Sequence, residues 1–154
     1  MLARVHSEAV LAAYLYHGWT ISSVYGDGIT APVAEHALRW DLPEAPRSPS
    51  REEVARFVHV SNVEDKFLIE GRGIVIAPGL PRDKERLLKN GDFIVLHDYR
   101  KRFLLTQVKA IEMSSPPSPK GWGILLPEDV SYEDVVIGMQ VWARDSTERE
   151  QAAT

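Results

Sequence analysis

The sequence contains no cysteine among its 154 residues. This absence excludes disulfide scaffolds, thiolate metal sites and cysteine nucleophiles, and it fits a reducing compartment. Long hydrophobic runs are also missing, because no apolar stretch approaches the roughly 18 residues that a membrane span needs. The N-terminal apolar stretch is interrupted by Glu8 and His17 and lacks the shape of a signal peptide. We therefore expect a cytoplasmic protein with no membrane partner.

The short motifs that mark common catalytic sites are absent as well. The phosphate-binding pattern G-x-x-x-x-G-K-[ST] does not occur, so the sequence encodes no P-loop site for GTP. The five histidines lack the H-x-x-x-H and H-E-x-x-H spacings of metal sites, and there is no G-x-S-x-G nucleophile elbow. The sequence therefore favours a protein without a cofactor, a metal or catalytic residues.

The charge is acidic overall and basic locally. The chain carries 18 basic and 22 acidic side chains, for a net charge of −4, which opposes general binding of polyanions. The densest basic cluster is Arg100, Lys101 and Arg102, with Tyr99 and Phe103 on either side. Basic side chains next to aromatic ones suit a single-stranded nucleic-acid end, so these three residues are candidates for partner binding. The alternative is a charged hairpin tip that only aids solubility.

The first third of the chain predicts a small α/β appendage, residues 1–56. Residues 7–17 predict a helix, and residues 19–25 alternate in the manner of a strand. Residues 30–39 predict a second short helix, because proline is well tolerated in a first turn. Residues 42–50 carry three prolines in nine positions and read as a linker.

The pattern changes to short strands and turns from Phe57 onward. Glycine, proline, asparagine or aspartate separates most of these strands at intervals typical of an antiparallel barrel. Residues 57–143 therefore predict a β-domain, and the polar residues 144–154 predict a flexible tail. The predicted strands are 57–63, 66–69, 73–76, 92–96, 102–111, 121–126 and 140–143.

Five motifs follow one another within this β-region. They are V-E-D-K-F-L-I-E-G-R-G-I-V at 63–75, L-K-N-G-D-F-I-V at 88–95, T-Q-V-K-A-I-E-M at 106–113, G-I-L-L at 123–126 and V-I-G-M-Q-V at 136–141. In this order they resemble domain II of elongation factor Tu and its relatives, where E-D-x-F-x-I-x-G-R-G-x-V opens the domain. The resemblance implies a closed antiparallel β-barrel over about residues 57–143. Residues 1–56 are too few for the GTPase domain of those factors.

The resemblance also implies a binding site. In elongation factor Tu this barrel contributes to holding the aminoacylated 3′ end of tRNA. Glu64, Asp65 and Phe67 match the E-D-x-F of the family, and Glu112 matches the glutamate that lies by the terminal adenosine. The residues themselves also allow a structural interpretation, because turn carboxylates commonly cap backbone N–H groups and phenylalanine is ordinarily a core residue.

Three functions are compatible with these features. The first is a non-catalytic binding module for the aminoacyl end of tRNA or for a translation-related protein. The second is a protein-interaction adaptor, which Ser114 and Gly121 favour because both depart from the family pattern. The third is an enzyme with a site between the appendage and the barrel, using His59 or His97 as the base.

Overall fold

The computed structural model describes residues 2–5, 7–25, 35–98, 102–112 and 121–145. These ranges hold eleven strands, two α-helices and two short 3-10 turns, Arg82–Lys84 and Tyr132–Asp134. In chain order the elements are β1 (Leu2–Val5), α1 (Glu8–Tyr16), β2 (Thr20–Tyr25), β3 (Glu35–Arg39), α2 (Arg51–Ala55), β4 (Phe57–Asn62), β5 (Asp65–Ile69), β6 (Gly73–Pro81), β7 (Phe93–His97), β8 (Phe103–Gln107), β9 (Ala110–Glu112), β10 (Gly121–Leu125) and β11 (Gln140–Arg144).

The strands form three antiparallel sheets, so the protein is mainly β. Sheet A has the order β1-β3-β2, sheet B the order β4-β11-β7-β8 and sheet C the order β5-β6-β10-β9. Within the described ranges, no strand ladder joins sheet B to sheet C. The closed barrel therefore stays a prediction.

The main core consists of side chains from sheets B and C. Side chains alternate between the two faces of a strand, so every second residue of these strands enters the core. Fully burying such a branched side chain contributes about 1.5–3 kcal/mol, which makes this cluster the main source of stability. Its fully buried members include Ile74, Ile76, Ile94, Leu96 and Ile124.

A second core packs the N-terminal segment against sheet B. Helix α1 buries Leu11 and Leu15 in one cluster with Trp19, and sheet B contributes Val95 and Trp142 to the same cluster. The main contacts of α1 are to α2, β4, β7 and β8. The N-terminal elements therefore cover the face of sheet B that points away from the main core.

The proline-rich linker is fixed by two indole groups. Trp19 Nε1 donates a hydrogen bond to the Arg47 carbonyl at 2.8 Å, and Trp40 Nε1 donates one to the Glu44 carbonyl at 2.8 Å. The following helix α2 begins after Ser50, whose hydroxyl accepts from the Glu53 N–H at 3.2 Å. Tryptophan side chains usually satisfy their N–H when buried, and here they anchor the linker in doing so.

The sequence-based prediction for residues 30–39 is wrong where the structure describes it. Glu35–Arg39 form β3, the central strand of sheet A, with β1 and β2 on either side. Residues 30–34 lie outside the described ranges. His36 and Leu38 are buried and Ala37 is only half-buried, which is the two-residue period of a strand. The hydrogen bonds of β3 to β1 and β2 outweigh the local preference for a helix that Pro32 indicates.

Most other predicted elements are confirmed to within a few residues, with two differences. The predicted strand 73–76 extends to Pro81 as β6. The predicted strand 102–111 is divided into β8 and β9, which belong to different sheets. The N-terminal strand β1 has no counterpart among the predictions.

The β5–β6 hairpin provides a test of the fold. Gly71 and Gly73 have φ angles of +78° and +130°, as a tight turn around Arg72 predicts. A Cβ on Gly71 would meet nothing within 4 Å, whereas a Cβ on Gly73 would overlap the Leu126 carbonyl oxygen. We expect Gly71→Ala to lower the free energy of unfolding by about 1 kcal/mol and Gly73→Ala to lower it by about 3 kcal/mol. Denaturant unfolding measures both, and equal losses would contradict the close approach of β6 to Leu126.

Candidate functional site

The strand register of sheet C brings candidate residues into one row. Phe67 on β5 lies opposite Val75 on β6, Val75 lies opposite Leu125 on β10, and Leu125 lies opposite Ala110 on β9. Directly opposed residues of neighbouring strands share a face of the sheet. The adjacent Ile124 belongs to the main core, so this row lies on the opposite face. We call that face the outer face of sheet C.

Glu112 and Asp65 lie on the same outer face by strand alternation. Glu112 is two residues beyond Ala110, and Asp65 is two residues before Phe67. The Phe67 side chain is 51% exposed, although phenylalanine is ordinarily buried. In this row Phe67 is exposed, Val75 and Ala110 are half-buried and Leu125 is buried, and a carboxylate lies near each end.

Glu112 forms an ion pair with Arg72, which comes from the β5–β6 turn. Lys109 Nζ donates to the Arg72 carbonyl at 2.7 Å and holds this turn against β9. The Glu112 side chain is 26% exposed and that of Arg72 is 50% exposed. Because water screens such a pair, it contributes at most about 1 kcal/mol, and the carboxylate is available for exchange with a ligand donor.

A glycine allows the Val75 side chain to pack closely on the outer face. Gly123 lies opposite Glu112, and a Cβ at this position would come within 2.6 Å of Val75 Cγ1. The Val75 side chain therefore occupies the space that a side chain at position 123 would need. Exposed apolar side chains beside a carboxylate suit a planar base together with hydroxyl or amino donors.

Glu64 and Asp65 also have backbone roles. The Glu64 N–H donates to the Ala77 carbonyl at 2.9 Å, and its side chain is exposed. Asp65 Oδ1 accepts from the Lys66 N–H at 2.9 Å. The structure thus contains the backbone contact that the structural interpretation of Asp65 predicts, while the carboxylate stays exposed on the outer face.

The basic cluster is not part of the outer face. Arg100 and Lys101 lie outside the described residues. Arg102 is exposed beside β8 in sheet B, and its N–H donates to Asp98 Oδ1 at 3.3 Å. With Phe103, Glu133 and Asp134 it lines a cavity of about 430 Å³. The register of sheet C does not bring Arg102 to Phe67 or Glu112.

Arg72, Val75, Gly123 and Leu125 belong to the site, although sequence reasoning did not select them. All four lie within the motifs at 63–75 and 123–126, so the sequence resemblance already included these positions. Alternation from Phe67 through the hairpin identifies Val75, but choosing Leu125 over Ile124 requires the β6–β10 register. The pairing of Arg72 with Glu112 depends on the turn geometry and has no sequence signal.

Lys66 fastens the opposite face of β5 to the loop before β11. Its Nζ donates to the carbonyls of Tyr132 and Val135, each at 2.7 Å. The same ammonium group lies 3.7 Å from the centroid of the Tyr132 ring, which is cation–π geometry. These contacts fix the strand that carries Phe67.

Two of the histidines considered as bases flank Trp142. The His97 ring stacks on the Trp142 ring with a centroid distance of 6.2 Å, and the His59 ring lies 5.4 Å away. His97 is fully buried, and burial lowers its pKa from 6.5 to about 4, despite an opposing hydrogen bond with the Glu8 backbone. His59 Nε2 lies 2.7 Å from Asn62 Oδ1. A substrate would therefore not reach His97 in this conformation.

Within the ranges that the structure describes, no group of three or more histidine, aspartate or glutamate side chains could hold a metal ion. In the same ranges, neither α1 nor α2 has the length and apolar character to cross a membrane.

A scan against family models, a search of curated proteins and a search of solved structures found no match to the chain. The functional assignment therefore depends on the geometry of this chain.

His97 predicts a pH dependence of stability. The folded state keeps His97 neutral down to about pH 4, whereas the unfolded chain binds a proton near pH 6.5. The contribution of His97 is therefore complete above about pH 6.5 and decreases as the pH falls to about 4, by about 3 kcal/mol in total. Denaturant unfolding of the wild type and of His97→Gln measures it. The free energy of unfolding of the variant should decrease less steeply than that of the wild type between pH 6.5 and 4. Parallel curves for the two proteins would contradict a buried, neutral His97.

Proposed function

We propose that this chain is a non-catalytic binding module whose outer face of sheet C contacts the aminoacylated 3′ end of tRNA. The observation that carries the proposal is the row Phe67, Val75, Leu125 and Ala110, which has Glu112 on the same face. The resemblance to elongation factor Tu points to the same residues. The main contacts of the described helix α1 with the β-region are to strands of sheet B.

The proposal includes a closed barrel, which two strand corners support. At the first corner, β4 continues into β5 through Val63 and Glu64. The Val63 N–H donates to the Met139 carbonyl at 2.8 Å beside sheet B, and the Glu64 N–H donates to the Ala77 carbonyl at 2.9 Å in sheet C. Strands that pass from one sheet to the other make the corners of such structures.

The second corner connects β8 to β9. The Val108 N–H donates to the Asp92 carbonyl at 2.8 Å beside sheet B, and the Lys109 N–H donates to the Leu125 carbonyl at 2.9 Å in sheet C. With both corners, each sheet is continuous with the other at its two edges. Closure would leave few strand edges available for aggregation.

The chemistry of the outer face fits the end of a charged tRNA. The exposed ring of Phe67 provides a surface on which a base can stack. Every nucleobase can stack on such a ring, because every base has an aromatic face. The Asp65 and Glu112 carboxylates accept hydrogen bonds from ribose hydroxyls or from the ammonium group of an esterified amino acid. Binding of this kind requires neither a nucleophile nor a metal, which agrees with the absence of their motifs.

The role of Phe67 is tested by comparison with a second exposed phenylalanine. Phe67→Ala should weaken the binding of aminoacyl-tRNA about tenfold, because loss of a stacking side chain costs about 1–3 kcal/mol per base. Phe93→Ala is the matched control, since Phe93 is 47% exposed but lies in sheet B. Calorimetric titration in low salt measures both, and similar losses for the two variants would contradict the placement of the site.

Glu112→Gln tests the carboxylate on the same face. We expect it to weaken the binding of charged tRNA severalfold, because a neutral amide is a poorer acceptor for an ammonium or hydroxyl group. Glu52→Gln on α2 is the control, because it also removes one negative charge but lies away from sheet C. It should leave the binding of charged tRNA unchanged. If the wild type binds neither charged nor uncharged tRNA at tens of micromolar, the proposed function is wrong.

A protein-interaction adaptor is the second candidate function. Two observations favour it: Arg72 already pairs with Glu112, and the edge strand β5 exposes Leu68 to 66% beside Phe67. An edge strand with exposed apolar side chains can pair with a strand of another protein. In a pull-down after nuclease treatment, Leu68→Asp should abolish recovery of a defined protein partner. Recovery that depends on intact RNA would contradict the adaptor.

A further inference from the structure

A second cavity lies at one end of the main core, on the side of sheet C opposite the outer face. It has a volume of about 400 Å³ and is lined by Leu80, Glu85, Arg86, Ile111 and Trp122. Ile111 and Trp122 pack against the main core, whereas Glu112 belongs to the outer face. We call this space the Trp122 cavity. Its volume is within the range of about 300–1,000 Å³ that small-molecule sites occupy.

The cavity lies beside a change of register between β6 and β10. Trp122 lies opposite Leu80 and Ile124 lies opposite Ile76, so residues 77–79 of β6 face the single Gly123. Extra residues on one strand bend it and change where its side chains point. Both the half-buried Trp122 and its strand partner Leu80, which is 1% exposed, line the cavity.

The rim of the cavity carries one positive and one negative side chain that are available for a ligand. Glu85 and Arg86 are both exposed, and in the described ranges neither side chain has a hydrogen bond or an ion pair. Arg86 also lines an adjoining cavity of about 390 Å³, where Arg82 and Lys84 lie together with the acidic residues Asp83, Glu85 and Asp145. Arg86 is therefore the basic side chain that the lining of the Trp122 cavity offers to an anionic group.

This rim is fixed by contacts on both of its sides. Lys84 Nζ donates to the His59 carbonyl at 2.9 Å, and the Leu87 N–H donates to the Lys84 carbonyl at 2.9 Å. Leu87 and Leu88, which follow Arg86, are buried in the main core. The cavity is therefore preformed, and a ligand would not have to order the segment that contacts it.

We propose that the Trp122 cavity binds a small planar aromatic molecule that carries an anionic group and a hydrogen-bond donor. The ring stacks against the Trp122 indole and over Leu80 and Ile111. Arg86 binds the phosphate or carboxylate with its planar guanidinium, and Glu85 accepts from an amino group. A purine mononucleotide and an aromatic amino acid share this chemistry. The site is independent of the function proposed for the outer face.

Calorimetric titration of the full chain with adenosine monophosphate and with L-tryptophan tests the inference. At least one of them should bind with a Kd below about 1 mM, which corresponds to about −4 kcal/mol. Trp122→Ala and Arg86→Glu should each weaken this binding at least about tenfold. Because Arg86 is exposed, its substitution tests the site without disturbing the core. Arg51→Glu on α2 is the matched charge reversal and should leave the affinity unchanged.

Comparison of the two ligands and of the Glu112→Gln variant tests where and what the cavity binds. Preference for the mononucleotide or for the amino acid identifies the source of the ligand. Glu112→Gln should leave the affinity unchanged, and a loss would place the ligand on the outer face and overturn the inference. Three further results would overturn it: no binding of either compound up to about 5 mM, equal effects of Arg86→Glu and Arg51→Glu, or inorganic phosphate alone binding as tightly as the mononucleotide.

Discussion

The backbone hydrogen bonds at Glu64 and Lys109 are the constraint on which the rest of the molecule depends. Each hydrogen bond lies where the chain passes from sheet B into sheet C. The bond at Glu64 sets the register of β5, and the bond at Lys109 sets the register of β9. A slip of one residue in either strand would turn every side chain to the other face. A slip of β5 would turn Phe67 toward the core. A slip of β9 would turn Ile111 to the outer face in place of Ala110 and Glu112. These two corners therefore fix which residues of the proposed site point outward.

The two four-stranded sheets have different neighbours on their non-core faces. Sheet B is covered by α1 and by Trp19, so Val95 and Trp142 are buried there and His97 is kept neutral. Sheet C has no described N-terminal element among its main contacts, and its outer face exposes Phe67. The proposed function uses this difference, because it places recognition on the outer face of sheet C. It also explains why two phenylalanines of similar exposure, Phe67 and Phe93, are expected to differ in function.

The β-region could largely be predicted from the sequence, because alternating apolar residues and glycine or asparagine turns are local signals. Strands β1 and β3 could not, since β3 owes its conformation to neighbours on both sides that are distant in sequence. The division of residues 102–111 at Val108 also lacks a local signal, because it results from a change of hydrogen-bond partner. For the site, motifs selected Phe67 and Glu112, but their common face follows only from the registers across β6 and β10.

The most direct test of this account is an amide NMR titration of the isotope-labelled chain with an aminoacylated acceptor-stem minihelix. The account predicts that the largest shifts occur at Val75, Ala110 and Leu125, which form the outer row of sheet C. Amides of Val95 and Trp142, buried under α1, should shift little. Shifts concentrated in sheet B, or no shifts at saturating minihelix, would contradict the assignment of recognition to the outer face of sheet C.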